Sequence, residues 1–322
     1  MTQFRRGTGI VSQVHQTASL DRSVPSVYNP SSRMRYVGNI FRPPSEADSL
    51  LLQATIGCSH NRCSFCAMYR DKQFRVRRVE EVLKDVEAAH DYYGPDVRRV
   101  FLCDGNALIL PTPHLLRILT RLEEVFPDLQ RVGVYANARD LSSKPVSDLQ
   151  ELAAHKLSLF YLGLESGSDP ILREIDKGAT AEEMVAGVRH GMSAGMKSSV
   201  IFLLGLGGRK RWQENAVESA KAVSQMNPNY LSALTVTVVP GTPLARQLES
   251  GEFELPEPAE FAAELRLFLE RVDVKATVFR SNHASNYVPL AGRLPKDKER
   301  LVAELTEAIR HHRFKPEYLR GL

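Results

Sequence analysis

No run of about eighteen apolar residues occurs in the 322-residue chain, so no segment has the length and apolarity of a membrane-crossing helix. The first residues, MTQFRRGTGIVSQVHQ, lack the apolar core of a secretory signal, which makes a cytoplasmic location the expectation and leaves no membrane partner. Cysteine is scarce, at 4 residues, too few for a disulfide-stapled scaffold. Neither sign of charge dominates. The 42 cations face 38 anions, and a formal charge of +4 permits a nucleic-acid partner without requiring one. Internal repeats, low-complexity tracts and a clear linker are also missing. What is present, 43% hydrophobic and 25% charged residues, is the composition of an enzyme-sized globular chain that can bury a large core.

Residues 1–48 are rich in Ser, Arg, Pro and Asn without sustained periodicity, and they read as an extension or cap. Beyond them, short apolar or β-branched runs recur at 50–55, 99–103, 132–136, 157–162, 199–204 and 234–239, the pattern of strands buried on both faces. Helical spacing fills the gaps. Val79, Val82, Leu83 and Val86 mark the first helix; Leu115, Ile118, Leu119, Leu122 and Val125 mark the second, entered through Thr112 and Pro113 as cap and first turn. A shorter helix follows Ser147. Thr180 with Glu183 forms a capping box ahead of Met184, Val188 and Met192, and Trp212, Ala216, Ala220 and Val223 mark a further helix. Such alternation predicts a parallel sheet covered by helices, either open and doubly wound or a barrel, with ligands at the carboxyl ends of its strands. Past Gly241 the pattern adds a helix around Phe261, Leu265 and Phe268, a strand over 276–279 and a last helix around Leu301, Leu305 and Ile309.

Three of the cysteines, Cys58, Cys63 and Cys66, fall in one segment, GCSHNRCSFC, between the first expected strand and the first helix. In a reducing compartment this clustering points to metal or redox chemistry. Three thiolates on a short loop can wrap one metal centre while the loop amides hydrogen-bond to the sulfurs. Two centres compete. Zinc would take the three thiolates with His60 in a closed tetrahedral site, whereas an iron-sulfur cluster on three cysteines leaves one iron bare for a chelating substrate. The fourth cysteine, Cys103, ends an apolar run and reads as a buried strand-end residue.

The cysteine loop resembles that of the radical S-adenosylmethionine (radical SAM) superfamily, which places an aromatic residue just before the third cysteine, here Phe65. Four residues separate Cys58 from Cys63, where the usual family pattern has three. Cys103, Asp104, Gly105 and Asn106 stand where the family has a Gly-Gly-Glu-like turn that receives the methionine amino group. Asn137 and Arg139 follow the third strand, as in relatives that bind the ribose or carboxylate. The segment LGLESGS, with Glu165 and Ser166, and Lys177 further on, is similar to a strand-four signature. That signature is shared by tRNA methylthiotransferases, Elongator-type catalytic subunits and oxygen-independent coproporphyrinogen oxidases. Gly205 opens a glycine-rich turn, GLGG, similar to the one whose backbone approaches adenine in the same relatives; a GxGxxG dinucleotide fingerprint is not completed.

The resemblance implies an α/β fold: a partial (β/α)6 TIM-like barrel of parallel strands over 49–245, with an N-terminal extension, 1–48, and a C-terminal extension, 246–322, packed on it. It implies a [4Fe-4S] cluster on Cys58, Cys63 and Cys66, and S-adenosylmethionine bound by Phe65, Asp104, Gly105, Asn106, Asn137, Arg139, Glu165, Ser166, Lys177 and Gly205. The implied activity is reductive cleavage to a 5'-deoxyadenosyl radical, with a flavodoxin or ferredoxin as electron donor and a small-molecule substrate. Arg70, Lys72, Arg75, Arg77 and Arg78 after the cysteines, and Arg209, Lys210 and Arg211 after the fifth strand, read first as a solvated helix-entry surface and second as cations that attract an anionic substrate or an acidic donor. RNA modification is the sister reading, not favoured because no RNA-binding module is evident; a zinc-stapled binding protein is the non-enzymatic one. The segment 280–286, RSNHASN, concentrates hydrogen-bonding groups and reads as a substrate or second-cofactor loop, or as a loop that closes the barrel.

Overall fold

The computed structural model describes residues 34–320, so residues 1–33 of the expected N-terminal extension lie outside the described residues. The strands are β1 (Leu50–Gln53), β2 (Thr55–Ile56), β3 (Arg75–Val76), β4 (Arg99–Cys103), β5 (Arg131–Tyr135), β6 (Leu157–Glu165), β7 (Lys197–Leu204), β8 (Tyr230–Thr235), β9 (Thr277–Ser281) and β10 (Leu290–Leu294). The helices are α1 (Val79–Tyr93), α2 (Thr112–Val125), α3 (Ala138–Ser143), α4 (Val146–Ala154), α5 (Asp169–Glu174), α6 (Ala181–Ser193), α7 (Gly208–Met226), α8 (Pro243–Ser250), α9 (Pro258–Arg271) and α10 (Lys298–Arg310).

The main sheet runs β1-β4-β5-β6-β7-β8-β9-β10, parallel from β1 to β9 and closed at the far end by an antiparallel β9–β10 pair. This is the α/β, mostly parallel sheet of a partial TIM-like barrel. All six anticipated strands are present, but the parallel series is longer by one, because the run expected at 276–279 pairs with β8. The sixth strand also sits earlier than its apolar run suggested: Tyr230–Thr235 pairs with β7, and Val236–Val239 continues as irregular chain. A separate two-stranded ribbon, β2 with β3, pinches together the two ends of the cysteine loop.

Side-chain alternation along the strands decides between the two architectures. Leu50, Leu52, Val100, Leu102, Val132 and Val134 join the large core that includes the helices. Their neighbours Leu51, Phe101, Cys103, Leu159 and Tyr161 form a second cluster to which no helix contributes, joined by Tyr36, Ile40, Tyr135 and Tyr230. Helices therefore cover one face only, as in a barrel and unlike a doubly wound sheet. The chain segment ahead of β1 lies on the inner face: Ile40 packs into that cluster, Tyr36 donates to the Leu51 carbonyl at 2.8 Å, and Glu46 accepts from the Tyr161 hydroxyl at 2.5 Å.

Local chemistry sets the helix starts. Thr180 and Glu183 bond reciprocally, at 2.8 and 3.2 Å, and start α6 as a capping box. The second helix begins at Thr112 itself, with Pro111 in the cap position and Pro113 inside the first turn, where its missing N–H costs no bond. After β6, Gly167 lets the chain touch α7: its N–H donates to Ser219 Oγ at 2.7 Å, and a Cβ there would overlap the Glu218 carbonyl. Gly167→Ala is expected to lower stability by about 1–3 kcal/mol, read as a lower urea midpoint with an unchanged slope.

Candidate active site

The loop between β2 and β3 carries Cys58, Cys63 and Cys66 as free, half-buried thiols at the carboxyl end of the sheet. Its conformation is held chiefly by groups for which the linear pattern suggested ligand contacts, and which here bond the loop itself. Oδ2 of the buried Asp104, just past β4, accepts from the Gly57 N–H at 2.9 Å, from Gln53 Nε2 at 2.9 Å and from Lys72 Nζ at 2.8 Å. The Gly105 N–H donates to the Gly57 carbonyl at 3.2 Å, and a Cβ on Gly105 would stand 2.9 Å from that of Cys58. Arg70 binds the far half of the loop, donating to the Cys63 carbonyl at 2.7 Å and to the Cys66 carbonyl at 2.8 Å. Asn61 donates to the Tyr69 carbonyl at 2.8 Å.

Neighbouring strand ends converge on the same loop. Ser59 Oγ accepts from Asn106 at 3.0 Å and from Asn137 at 3.2 Å, which joins the ends of β4 and β5 to the cysteines. Asn137 occupies the cap position of α3 but spends its amide on Ser59, and Arg139 stands exposed on that helix. At the end of β6, Glu165 takes a left-handed φ of 62° and pairs with Lys177 at 3.0 Å. Burial acts to lower the Lys177 ammonium, but Glu165 and the nearby Cys63 thiol outweigh it and hold it above its ordinary value. Burial pushes the Cys63 thiol up to about 12, against the pull of Lys177, and pushes Cys66 up as well.

The other anticipated residues have different surroundings. Phe65 packs against the main core. Ser166 is fully buried, with its hydroxyl accepting the Ser168 N–H at 3.1 Å. The Gly205 N–H is taken by Glu264 Oε2 at 2.9 Å. His60, the fourth ligand of the zinc reading, has Nε2 2.5 Å from the Asp176 carbonyl. The cations expected to crowd the ligand face are largely spoken for: Lys72 is buried with Asp104, Arg77 with Asp85 at 2.7 Å, Arg209 pairs with Glu260 at 3.1 Å, Lys210 with Glu254 at 3.6 Å and Arg211 with Glu174. In the segment 280–286, Asn286 is a brace, bonding Thr235, Ala233 and Ser281 at 2.7–3.0 Å. The His283 Nδ1 accepts from the Ser285 N–H at 3.1 Å. A surface cleft at the β10 edge is lined by Arg280, Arg293, Lys296 and Arg300.

Among the described residues no three His, Cys, Asp or Glu side chains close in as they do around a single metal ion. Three thiols on one loop supply one thiolate to each of three irons of a cluster, whereas a tetrahedral zinc would need a fourth ligand, and the ring nitrogen of His60 offered for that faces the Asp176 carbonyl. Polar atoms beside the loop also lack partners: Asp104 Oδ1, Asn106 Oδ1 and Tyr69 Oη are shielded from solvent and unbonded. Two carbonyl-type acceptors and a phenol so placed fit a ligand with donor groups, such as an amine. The residues present thus fit a cluster with a small polar molecule beside it.

Comparison with known proteins gives a consistent picture. The model of the radical SAM superfamily matches residues 52–220. An uncharacterized methyltransferase of Pyrococcus horikoshii is 24% identical over 190 residues, 58% of this chain and 39% of that protein. A putative methylthiotransferase of Methanocaldococcus jannaschii is 23% identical over 157 residues, 46% and 33% of the two chains. The match therefore spans well under half the length of these curated relatives. Among solved structures, the coproporphyrinogen III oxidase of Escherichia coli superposes with a TM-score of 0.50 at 20% identity, covering 69% of this chain and 52% of that one, a likeness of fold.

Glu264 gives this end of the sheet a measurable pH response. It is fully buried, its partners are Asn215 at 2.6 Å and the Gly205 N–H, and burial raises it from 4.5 to about 8. The folded protein keeps this proton through a range in which the unfolded chain has lost it, so stability falls as pH rises between 4.5 and about 8. Urea midpoints across that range are expected to decline in the wild type, by at most about 1.4 kcal/mol per pH unit, and to decline less in Glu264→Gln.

Proposed function

The chain belongs to the radical SAM superfamily, and from that premise we propose that Cys58, Cys63 and Cys66 hold its [4Fe-4S] cluster and that the protein modifies a small anionic molecule. The observation that carries the reading is the placement of three free thiols on one clamped loop at the carboxyl ends of the strands. Members of the family use the cluster with S-adenosylmethionine; when bound, the pair supplies the electron transfer that releases a 5'-deoxyadenosyl radical.

This chain's residues position and shield. Arg70 fixes the backbone carbonyls of Cys63 and Cys66, and Asp104 fixes Gly57, the residue before Cys58. Asp104 Oδ1 and Asn106 Oδ1 are the acceptors for the amino group of the methionine moiety. Glu165 and Lys177, a half-buried pair next to Cys63, are placed to exchange their mutual bond for contacts with the ribose and the carboxylate. The inner-face cluster of Leu51, Phe101, Leu159 and Tyr161 keeps water from the space beneath the loop.

A radical SAM enzyme needs a reductant, and a flavodoxin or ferredoxin is proposed for that role. No helix of the described residues is long and apolar enough to cross a membrane. Protein reconstituted anaerobically with iron and sulfide and reduced with dithionite is expected to release 5'-deoxyadenosine from S-adenosylmethionine. Cys63→Ala is expected to abolish both the cluster absorbance and this product while circular dichroism stays that of the wild type. Wild type with a full cluster and no 5'-deoxyadenosine overturns the reading.

A further inference from the structure

The anionic substrate expected from the basic loops needs a cation, and those loops have largely used theirs on partners. A different one is available. Arg42 lies in the segment ahead of β1, between Ile40, which packs into the inner-face cluster, and Ser45, whose hydroxyl is 2.9 Å from that of Tyr161. The ring of its neighbour Phe41 meets Tyr69 edge-on at 5.5 Å. The Arg42 Nη1 is shielded from solvent and has no hydrogen-bond partner. Two other arginines also have a shielded, unbonded nitrogen, but each faces a carboxylate: Arg131 reaches Glu46 at 2.8 Å through Nη2, and Arg266 Nε itself stands 3.5 Å from the Glu270 carboxylate. Among the described residues no acceptor or carboxylate reaches the Arg42 guanidinium.

Arg42 as a whole is half-buried, but an N–H shielded from water with no acceptor is costly unless something arrives to bond it. The charge is felt inside the barrel, where Arg42 opposes the burial that pushes up the Cys103 thiol. Asp104, beside Cys103, is already neutralised by Lys72 through Oδ2, and its unbonded Oδ1 makes no bond to Arg42. Lys72 is thus spent on Asp104, and Arg42 has no carboxylate of its own among the described residues. The rings of the inner-face cluster meet one another edge-on, Phe101 with Tyr135 at 5.0 Å and with Tyr161 at 5.7 Å, and Tyr69, against which Phe41 packs, has a hydroxyl that is itself shielded and unbonded.

We propose that Arg42, with the Tyr69 hydroxyl, is the anchor for the substrate: a carboxylate or phosphate on an apolar, ring-sized body that lies against Tyr135, the one half-exposed ring beside the buried Phe101 and Tyr161. The assignment rests on the radical SAM reading for its setting and names the substrate class of that same site. A guanidinium suits either oxyanion through paired N–H donors, and the aromatic wall supplies apolar contact without competing charge. The N-terminal segment is then part of the binding surface.

The test uses the cluster-loaded protein and three probes of one shape: benzoate, phenyl phosphate and the neutral benzamide. Calorimetric titration is expected to show saturable binding of benzoate or phenyl phosphate to the wild type, weakened about tenfold or more in Arg42→Met and less in Arg42→Lys. Benzamide binding is expected to be the same in wild type and Arg42→Met. Thermal melting without ligand supplies a second readout: Arg42→Met should melt no lower than the wild type, since an unpaired charge is removed. The assignment is overturned if the wild type binds neither anion, or if Arg42→Met binds them as well as the wild type does. It is overturned also if Arg42→Met melts lower, as for a lost ion pair, or if its deficit is for S-adenosylmethionine instead of the two anions. Wild type that releases 5'-deoxyadenosine but binds no anion contradicts this assignment alone; wild type that binds the anions through Arg42 and releases none contradicts the radical reading alone.

Discussion

One carboxylate oxygen, Oδ2 of Asp104, ties the cysteine loop to the sheet. It gathers the ammonium of Lys72, the amide of Gln53 and the N–H of Gly57, so residues from both ends of the loop and from β1 meet at the tip of β4. All of this occurs out of water, where a charge without its partner is expensive, and burial alone pushes the Asp104 carboxyl up. The ion pair and the amide donors oppose that push. Strand β4, the loop and Lys72 therefore stand or fall together, and the position of Cys58 is fixed before any cofactor arrives.

The same economy extends across the inner face. With helices on one side only, the other side of the sheet must be covered by something other than a helix layer, and the irregular chain from Met34 to Ser49 supplies part of the cover. It does so with individually bonded groups: Tyr36 on Leu51, Val37 on Gln53, the Asn39 carbonyl on Lys72, and Glu46 on Arg131 and Tyr161. Glu46 is fully buried and neutralised by Arg131, and Arg77 by Asp85; Arg42 is the exception that gives the segment a role in recognition.

The parts of this architecture that repeat were legible in the amino-acid pattern. Parallel strands buried on both faces give uninterrupted apolar runs, and the Thr180–Glu183 box announced a helix start to the residue. The misplaced sixth strand has a physical cause: Tyr230 and Ser232 interrupt its apolar run, while Val236 to Val239 looks like a strand but leaves the sheet after one bond, from the Val236 N–H to the Leu204 carbonyl at 3.0 Å. The last strand escaped notice because an edge strand alternates Ala291, Gly292 and Arg293 between buried ends and shows no apolar run. In the site, the cysteine loop and the strand-end turns stood out by residue type. Lys72 and Arg77 did not, because a cation in a basic stretch looks solvated until its carboxylate, Asp104 or Asp85, is brought to it by the fold. Gly205 likewise looked free for a ligand, although the Glu264 that takes its N–H lies 59 residues away in the chain.

The account turns on one iron that the three thiols leave without a protein ligand. Electron paramagnetic resonance of the anaerobically assembled, reduced protein, recorded before and after S-adenosylmethionine is added, addresses it directly. The account predicts that the cofactor shifts the g values of the cluster, because its amino and carboxylate groups occupy that iron. A spectrum indifferent to the cofactor, or a colourless protein holding one zinc per chain, would contradict it.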